Sequence, residues 1–314
     1  MTKYIARRLV LLAPTVFLVT LIVFSLMRAM PGDAASLQIG DTASRDEIDA
    51  LRRQLGLDRP LYQQYFVWAA GVLTGDLGNS HRSQQPVVDE LVAAIPVSAE
   101  LALAGVIVAV AVALPLGTLA ATNRARHIDY LARLVALAGL SIPSFVLGTL
   151  VVLLLALWFG WLPPTGYVPL YVDPFTNVQQ FVFPALVVGY RSSALMTRMV
   201  RSSLLEVLQQ DYIRTAMSKG LSWPTVVTRH ALRNALIPVV TLIGTQVGAL
   251  LSGAVVTETI FSLPGVGRLF IEAVTQRDYA MVQVVILFIA LVVSISNLIV
   301  DLLYAVVDPR VGYD

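Results

Sequence analysis

Residues able to do chemistry are few in this chain, and their spacing narrows the reactions open to it. The two lysines are Lys3 and Lys219. Neither follows the glycine-rich turn that a P-loop places before its Lys and Ser or Thr, so the chain is not expected to hydrolyse a nucleotide by that route. His81, His127 and His230 lie far apart in polar segments, and no HExxH zinc helix is present. Solvated loop histidines are the expectation, and no metal site is assigned. The absence of cysteine excludes disulfides, thiolate metal ligands, iron–sulfur clusters and a cysteine nucleophile. No paired-aspartate or serine–lysine arrangement stands out inside the apolar runs. An intramembrane protease is therefore carried only as a second class, with no catalytic residue and no cofactor assigned to the chain.

Charge inside the apolar runs is a different kind of signal. Arg191 lies near the middle of one run, Glu100 enters another, and Asp301 lies near the end of the last. A central Arg or Asp costs roughly 2.5–3.5 kcal/mol on insertion scales, so each should face protein or water rather than lipid. For Arg191 two roles are open: an ion pair within a helix bundle, or contact with a solute. Thr241, Thr245, Gln246 and Ser252 add a polar edge to a run that also carries Gly244 and Gly248. That edge suits a wet path or a subunit contact. With Arg191, these four are the candidate path residues. Gly105, Ala109, Ala113 and Gly117 recur every fourth position, a small-residue stripe suited to close helix packing.

The elements that must hold these residues follow from composition. The chain has 314 residues, 57% hydrophobic and 13% charged, with a mean hydropathy of +0.75. Soluble domains carry roughly 25% charged residues, so an ordinary soluble enzyme is excluded. Apolar runs lie at Leu9–Met27, Leu101–Ala121, Leu134–Trp161, Phe181–Val200, Leu236–Val256 and Met281–Val307. They are continuous rather than alternating, so the expectation is an all-α integral membrane protein with six transmembrane helices. Leu9–Met27 is longer than the ~7–15 residues of a signal-peptide core and is read as retained. Pro143 should kink the third span.

Basic residues in short loops set the orientation. Lys3, Arg7 and Arg8 precede the first span, Arg124, Arg126 and Arg133 follow the second, and six follow the fourth: Arg198, Arg201, Arg214, Lys219, Arg229 and Arg233. The loop after the third span has none. Both termini are thus expected in the cytoplasm. Residues 1–28 form the cytoplasmic N-terminus and first helix, 29–96 an extracytoplasmic loop with two short helices, and 97–314 a five-helix core with a cytoplasmic loop at 201–235. In the long loop, Ser44-Arg45-Asp46-Glu47 reads as a capping box for a helix that Gly56 stops. Pro60 opens a second helix whose Leu61, Tyr65 and Trp68 share a face. That face suits either lipid headgroups or the protein's own outer surface.

The cytoplasmic segment Arg201–Pro238 is the most informative. Asp211 can cap a short helix, Tyr212–Lys219, ended by Gly220; Ser222 and Pro224 then begin another running toward Asn234. A basic helix–glycine–helix unit of this kind fits docking onto a partner better than loose contact with anionic lipid.

Read as a whole, DYIRTAMSKGLSWPTVVTRHALRNALIPVV resembles the coupling loop of bacterial ABC-importer permeases of the dipeptide, oligopeptide and nickel class. The wider importer motif opens with Glu-Ala-Ala, whereas Arg214-Thr215-Ala216 stands here; Gly220 is retained, and the closing proline lies farther on, at Pro238. PGD at Pro31–Asp33, LGLDRPLYQQY at Leu55–Tyr65, GDLGNS at Gly75–Ser80, SIPSF at Ser141–Phe145, ETIFSLPGVGRL at Glu258–Leu269, RDYAMVQ at Arg277–Gln283 and NLIVDLLYAVVDPR at Asn297–Arg310 extend the resemblance across the chain. They are similar to the first, long-loop permease of such systems.

The resemblance implies a type I importer permease fold and a subunit without catalytic residues. It implies a second permease, identical or related, two ATPase subunits that bind ATP and Mg, and an extracytoplasmic binding protein that delivers the solute. No nucleic-acid partner is implied. The implied solute is a di- or oligopeptide, with a nickel chelate as the alternative. Asp211, Tyr212, Arg214, Thr215, Ala216, Lys219, Gly220, His230 and Arg233 would form the ATPase-coupling loop. The location implied is the bacterial inner membrane.

Overall fold

The structure, a computed structural model, describes residues 2–29, 45–54, 56–80 and 82–307. Lipid offers no hydrogen-bond partners, so apolar chain satisfies its backbone internally, and helix is the local solution. Apart from one isolated bridge between Asn79 and Pro86, the regular elements among the described residues are helical.

Two long helices make the centre: α4 (Val87–Thr122) and α7 (Pro174–Val207). At 1.5 Å per residue each is about 50 Å long and outreaches a hydrocarbon core of ~30 Å. Their contact explains the small-residue stripe. Gly105, Ala109, Ala113 and Gly117 are all buried; a Cβ at Gly105 would lie 3.2 Å from Val188, and one at Gly117 2.7 Å from Val200. From the other side, a Cβ at Gly189 would lie 2.6 Å from Val108. The stripe is a packing device.

Around this pair stand α1 (Thr2–Ala29), α5 (His127–Ser141), α6 (Ser144–Phe159), α10 (Ile237–Gly253) and α13 (Tyr279–Val307). Gly244 and Gly248 of α10 face Val300 and Ser296 of α13. Leu250 joins Ala102, Val106 and Val188 in an apolar cluster that ties α10 to α4 and α7. The kink expected at Pro143 is a full break, with α5 and α6 meeting at 99°. Proline has no N–H and pushes the residue before it out of helical geometry, and Ile142 is extended. By length and composition, α4 and the Tyr279–Val300 part of α13 can cross a membrane alone, and up to four spans result if each bent pair counts as one. Ala13–Arg28 of α1 is a shorter apolar helix, and α7, with Asn177, Gln180 and Arg191 along it, is not among the candidates.

In the long loop, α2 (Arg45–Gln54) is followed by Gly56 at φ +63°, as its stop role requires. Ser44 and Leu55 lie outside the described residues. The second loop helix, α3 (Leu61–Thr74), follows Pro60. Its Tyr65 is buried against Phe24 of α1, with ring centroids 5.5 Å apart, and its hydroxyl lies 2.9 Å from Thr20 Oγ1. The Tyr65–Trp68 stripe therefore packs on the protein rather than on headgroups. Leu61, expected on that face, is exposed. Helix α4 starts at Val87, inside the segment expected to be loop.

Candidate functional site

The segment after α7 folds as a compact, projecting unit. Helix α8 (Asp211–Ser218) turns through Lys219 and Gly220 into α9 (Trp223–Ala235), whose middle, Val226–Ala231, is a π-helix. Asp211 is the first helical residue rather than the cap; Gln210 holds the cap position, with no side-chain bond. The helix is displaced by one residue from its expected bounds. Asp211 instead pairs with Arg214 at 3.5 Å on the exposed surface, a contact worth little in water.

Gly220 ends the helix as expected. Its φ is +82°; its N–H donates to the Met217 carbonyl at 2.9 Å, and the Leu221 N–H donates to the Ala216 carbonyl at 3.4 Å. That pair of bonds is the Schellman arrangement. Ile213 and Ala216 turn inward onto Val226, Val227, Ala231, Ala235 and Leu204. Tyr212 adds a polar clasp: its hydroxyl accepts from Asn234 Nδ2 at 2.8 Å and donates to the His230 carbonyl at 3.4 Å. His230 thus contributes its backbone carbonyl to this clasp. Thr215, Lys219 and Arg233 are exposed. Two short helices, each too short to persist alone, hold one shape through shared burial and the clasp.

The unit packs on Leu204 of α7 and Ala121 of α4, and close to Leu204 a buried ion pair ties α5 to α7. Asp129 of α5 is fully buried and accepts from Arg201 Nε at 2.8 Å and Nη2 at 2.9 Å, with Arg133 at 3.3 Å. The Ala125 N–H also donates to it, at 3.0 Å, across a turn in which Ala125 has φ +60°. The Arg201 guanidinium holds the Asp129 carboxyl down at about 2, below its ordinary 3.8. Its stabilising effect is therefore present above that ordinary value and is lost as pH falls from 3.8 toward about 2. Asp129→Asn should cost about 1–3 kcal/mol, because Arg201 keeps a hydrogen bond but loses its counter-charge. The check is the melting temperature in detergent against pH. Parent and variant should converge as the medium is acidified, and a constant gap would contradict the assignment.

The path candidates do not converge on one another through direct bonds. Arg191 lies on the exposed side of α7, and among the described residues it has no ion pair or hydrogen bond, so the internal ion pair is not found. Thr245 is exposed and Thr241 and Gln246 are half-buried on α10; the Ser252 side chain lies outside the described set. Thr245 Oγ1 donates to the Leu242 carbonyl at 2.8 Å. Glu100 is half-buried and accepts from the Tyr167 hydroxyl at 3.1 Å. The Asp301 side chain is likewise outside the described set.

Two buried carboxylates at the opposite end were not singled out by residue chemistry. Glu258 in α11 (Val255–Ile260) is 1% exposed. It accepts from Ser98 Oγ at 2.6 Å and from the Arg268 N–H at 3.0 Å, at the start of α12 (Val266–Thr275). Ser98 Oγ in turn accepts from the Val266 N–H at 2.8 Å. Burial raises the Glu258 carboxyl above its usual range, and the donors around it oppose that. Asp278 caps α13 by accepting from the Met281 N–H at 3.1 Å, and it accepts from Ser80 Oγ at 2.6 Å. Both carboxylates lie within the quoted segments ETIFSLPGVGRL and RDYAMVQ. A carboxylate three residues before a long apolar run was the available signal for Asp278. Ser98 offered none.

Comparison with known proteins adds the rest. Residues 113–313 match the family described as binding-protein-dependent transport system inner membrane component, and residues 1–102 match the N-terminal family of the same systems. The chain is 42% identical to the di/tripeptide transport system permease protein DppB of Pseudomonas aeruginosa (strain UCBPP-PA14), covering 100% of this chain and 99% of that one. It is 40% identical to the glutathione transport system permease protein GsiC of Escherichia coli (strain K12), with 100% of each covered. Among solved structures, the MetNI methionine ABC transporter in inward-facing conformations matches with a TM-score of 0.56 and 17% identity, over 71% of this chain and 98% of that one. An amino acid ABC transporter crystallised with histidines matches at 0.51 and 14%, over 68% and 92%. These two likenesses concern the fold.

Proposed function

Because the chain belongs to the family of binding-protein-dependent transport system inner membrane components, we propose that it is the permease subunit of an ATP-driven importer of short peptides. The observation that carries this is the α8–Gly220–α9 unit, a rigid, exposed shape presented beside the core. On this reading Asp211, Arg214, Thr215, Lys219 and Arg233 face the groove of an ATP-binding subunit, while Ile213, Ala216 and Tyr212 keep the shape. ATP-driven closure of two such subunits would move two docked loops and switch the path from inward- to outward-open. A ligand can drive such a switch only through different contacts in the two states.

The assembly proposed has two permeases, two ATP-binding subunits and an extracytoplasmic binding protein, with ATP and Mg held by the partners. In the membrane, α1, α4, the α5–α6 pair, α7, α10 and α13 are the six crossings, with both termini cytoplasmic. Transported solutes are di- or oligopeptides; the curated relatives are named for di/tripeptide and for glutathione transport. Thr241, Thr245, Gln246 and Ser252 line the path.

The test is reconstitution. The purified chain alone should hydrolyse no ATP, whereas the assembled complex in vesicles should show ATP turnover stimulated by peptide-loaded binding protein, together with uptake of that peptide. Turnover by the isolated subunit, free of contaminating ATPase, would overturn the proposal. Cleavage of peptide without nucleotide would favour a protease instead.

A further inference from the structure

Arg191 is the residue for which the fold itself supplies no use. Helix α7 presents Arg191, Leu195, Arg198 and Ser202 at helical spacing on one exposed side, and neither arginine has a bonded partner among the described residues. Its depth follows from the buried ion pair: Arg201, on Asp129 at the basic end, is ten residues along α7, about 15 Å at 1.5 Å per residue. That is about half of a ~30 Å hydrocarbon core, where an arginine in lipid is costly. Arg198 stands about 10 Å nearer the basic end on the same side.

The neighbouring helix gives that side its character. Val188 of α7 packs with Leu250 of α10, and Met196 with Leu242, so the two helices run antiparallel and Arg191 shares the level of Gln246. Helix α10 carries the polar positions Thr241, Thr245 and Gln246 over the same span of depth, with Thr245 exposed. A guanidinium with no counter-charge among the described residues at mid-depth, followed by a second toward the basic end, suits an anion that passes by. A planar fork of donors matches a carboxylate in particular.

We propose that Arg191 is a binding site for the free carboxylate of the transported solute, with Arg198 as the next station on its way inward. This rests on the importer reading above and adds to it the chemical group recognised inside the membrane. Conduction needs sites strong enough to enter and weak enough to leave, and two spaced arginines provide that better than one tight pocket.

The chain contains no cysteine, so a single Arg191→Cys substitution can be modified cleanly. The assembled complex in vesicles would be treated with methanethiosulfonate reagents that add an ethylammonium, a neutral ethyl or an ethylsulfonate group, with the parent complex treated in parallel. Uptake of a radiolabelled dipeptide with a free carboxylate is then measured, alongside ATP turnover stimulated by loaded binding protein. Uptake should fall about tenfold in Arg191→Cys, the equivalent of one charge-assisted hydrogen bond. The ammonium adduct should recover most of it, the ethyl adduct none, and the sulfonate should lower it further.

Arg191→Lys should retain part of the uptake, and the yield of assembled complex should match the parent in every variant. Full uptake by Arg191→Cys, or equal uptake with the ammonium and ethyl adducts, would overturn the proposal. So would a thiol closed to aqueous reagent both with and without ATP, or a loss of assembled complex, which would mark a contact with lipid or with the second permease. Failure of the parent complex to couple uptake to ATP would instead bring down the importer reading.

Discussion

Gly220→Val is expected to lower peptide uptake at least about 5–30-fold while the protein still inserts and accumulates. At φ +82° a side chain costs about 1–2 kcal/mol, and a β-branched one more. Such a cost shifts the population of the intact turn roughly 5–30-fold. Nothing lies within 4 Å of a Cβ built at Gly220, so the penalty is in the backbone alone and not in collision. This sharpens the choice of variants. Alanine should impair almost as valine does, despite its small size, whereas asparagine, which tolerates the left-handed region, should keep much of the activity. Losing the turn frees Leu221 and Ser222 from their places and lets α9 tilt against α8, so the shape offered to an ATP-binding subunit is lost. The measurement is uptake together with ATP turnover in response to loaded binding protein, at matched expression. Normal stimulated uptake by Gly220→Val would count against the docking role, because a merely basic, lipid-facing patch keeps its charge in that variant.

Glu258→Ala should have the largest effect on stability. The carboxylate is 1% exposed and satisfies Ser98 Oγ and the Arg268 N–H at the same time. Removing it leaves a buried hydroxyl and a helix-end amide without their acceptor, and a void the size of the side chain. Each lost partner costs roughly 1–3 kcal/mol, so about 2–6 kcal/mol in all is expected. Gly265 shows how closely the site is built, since a Cβ there would run into the same carboxylate. Glu258→Gln should be milder, because its carbonyl can still accept from one donor. Thermal unfolding in detergent and the yield of folded protein are the readouts. An alanine variant as stable as the parent would contradict the capping account.

These two sites also show where residue patterns were informative and where they stopped. The turn at Gly220 was legible because positive φ is a local demand that glycine meets, and local demands leave their mark at one position. The stripe from Gly105 to Gly117 was legible for the same reason, as close approach is met by small residues at a fixed period. The break at Pro143 was half legible: proline forbids the helix there, but the 99° angle depends on what α5 and α6 pack against. Glu258 and Ser98 were not legible as a pair, because they stand 160 residues apart and neither type is unusual at its position. Tyr212 was picked out with the loop, but its clasp to Asn234 depends on how α8 and α9 cross. Arg191 was visible as a charge out of place, whereas its exposed side required the fold.

The bond between Ser80 and Asp278 joins positions 198 residues apart. During synthesis at ~5–20 residues per second, Ser80 must wait roughly 10–40 s before its partner has even been made. The end of the molecule that holds Ser80 therefore cannot be latched by this bond until the final helix is being made. A nascent chain stopped before Asp278 would carry its early helices with that end unlatched, and limited proteolysis there should be faster than in the finished subunit. Completion of the last helix is, in this sense, the event that seals the first.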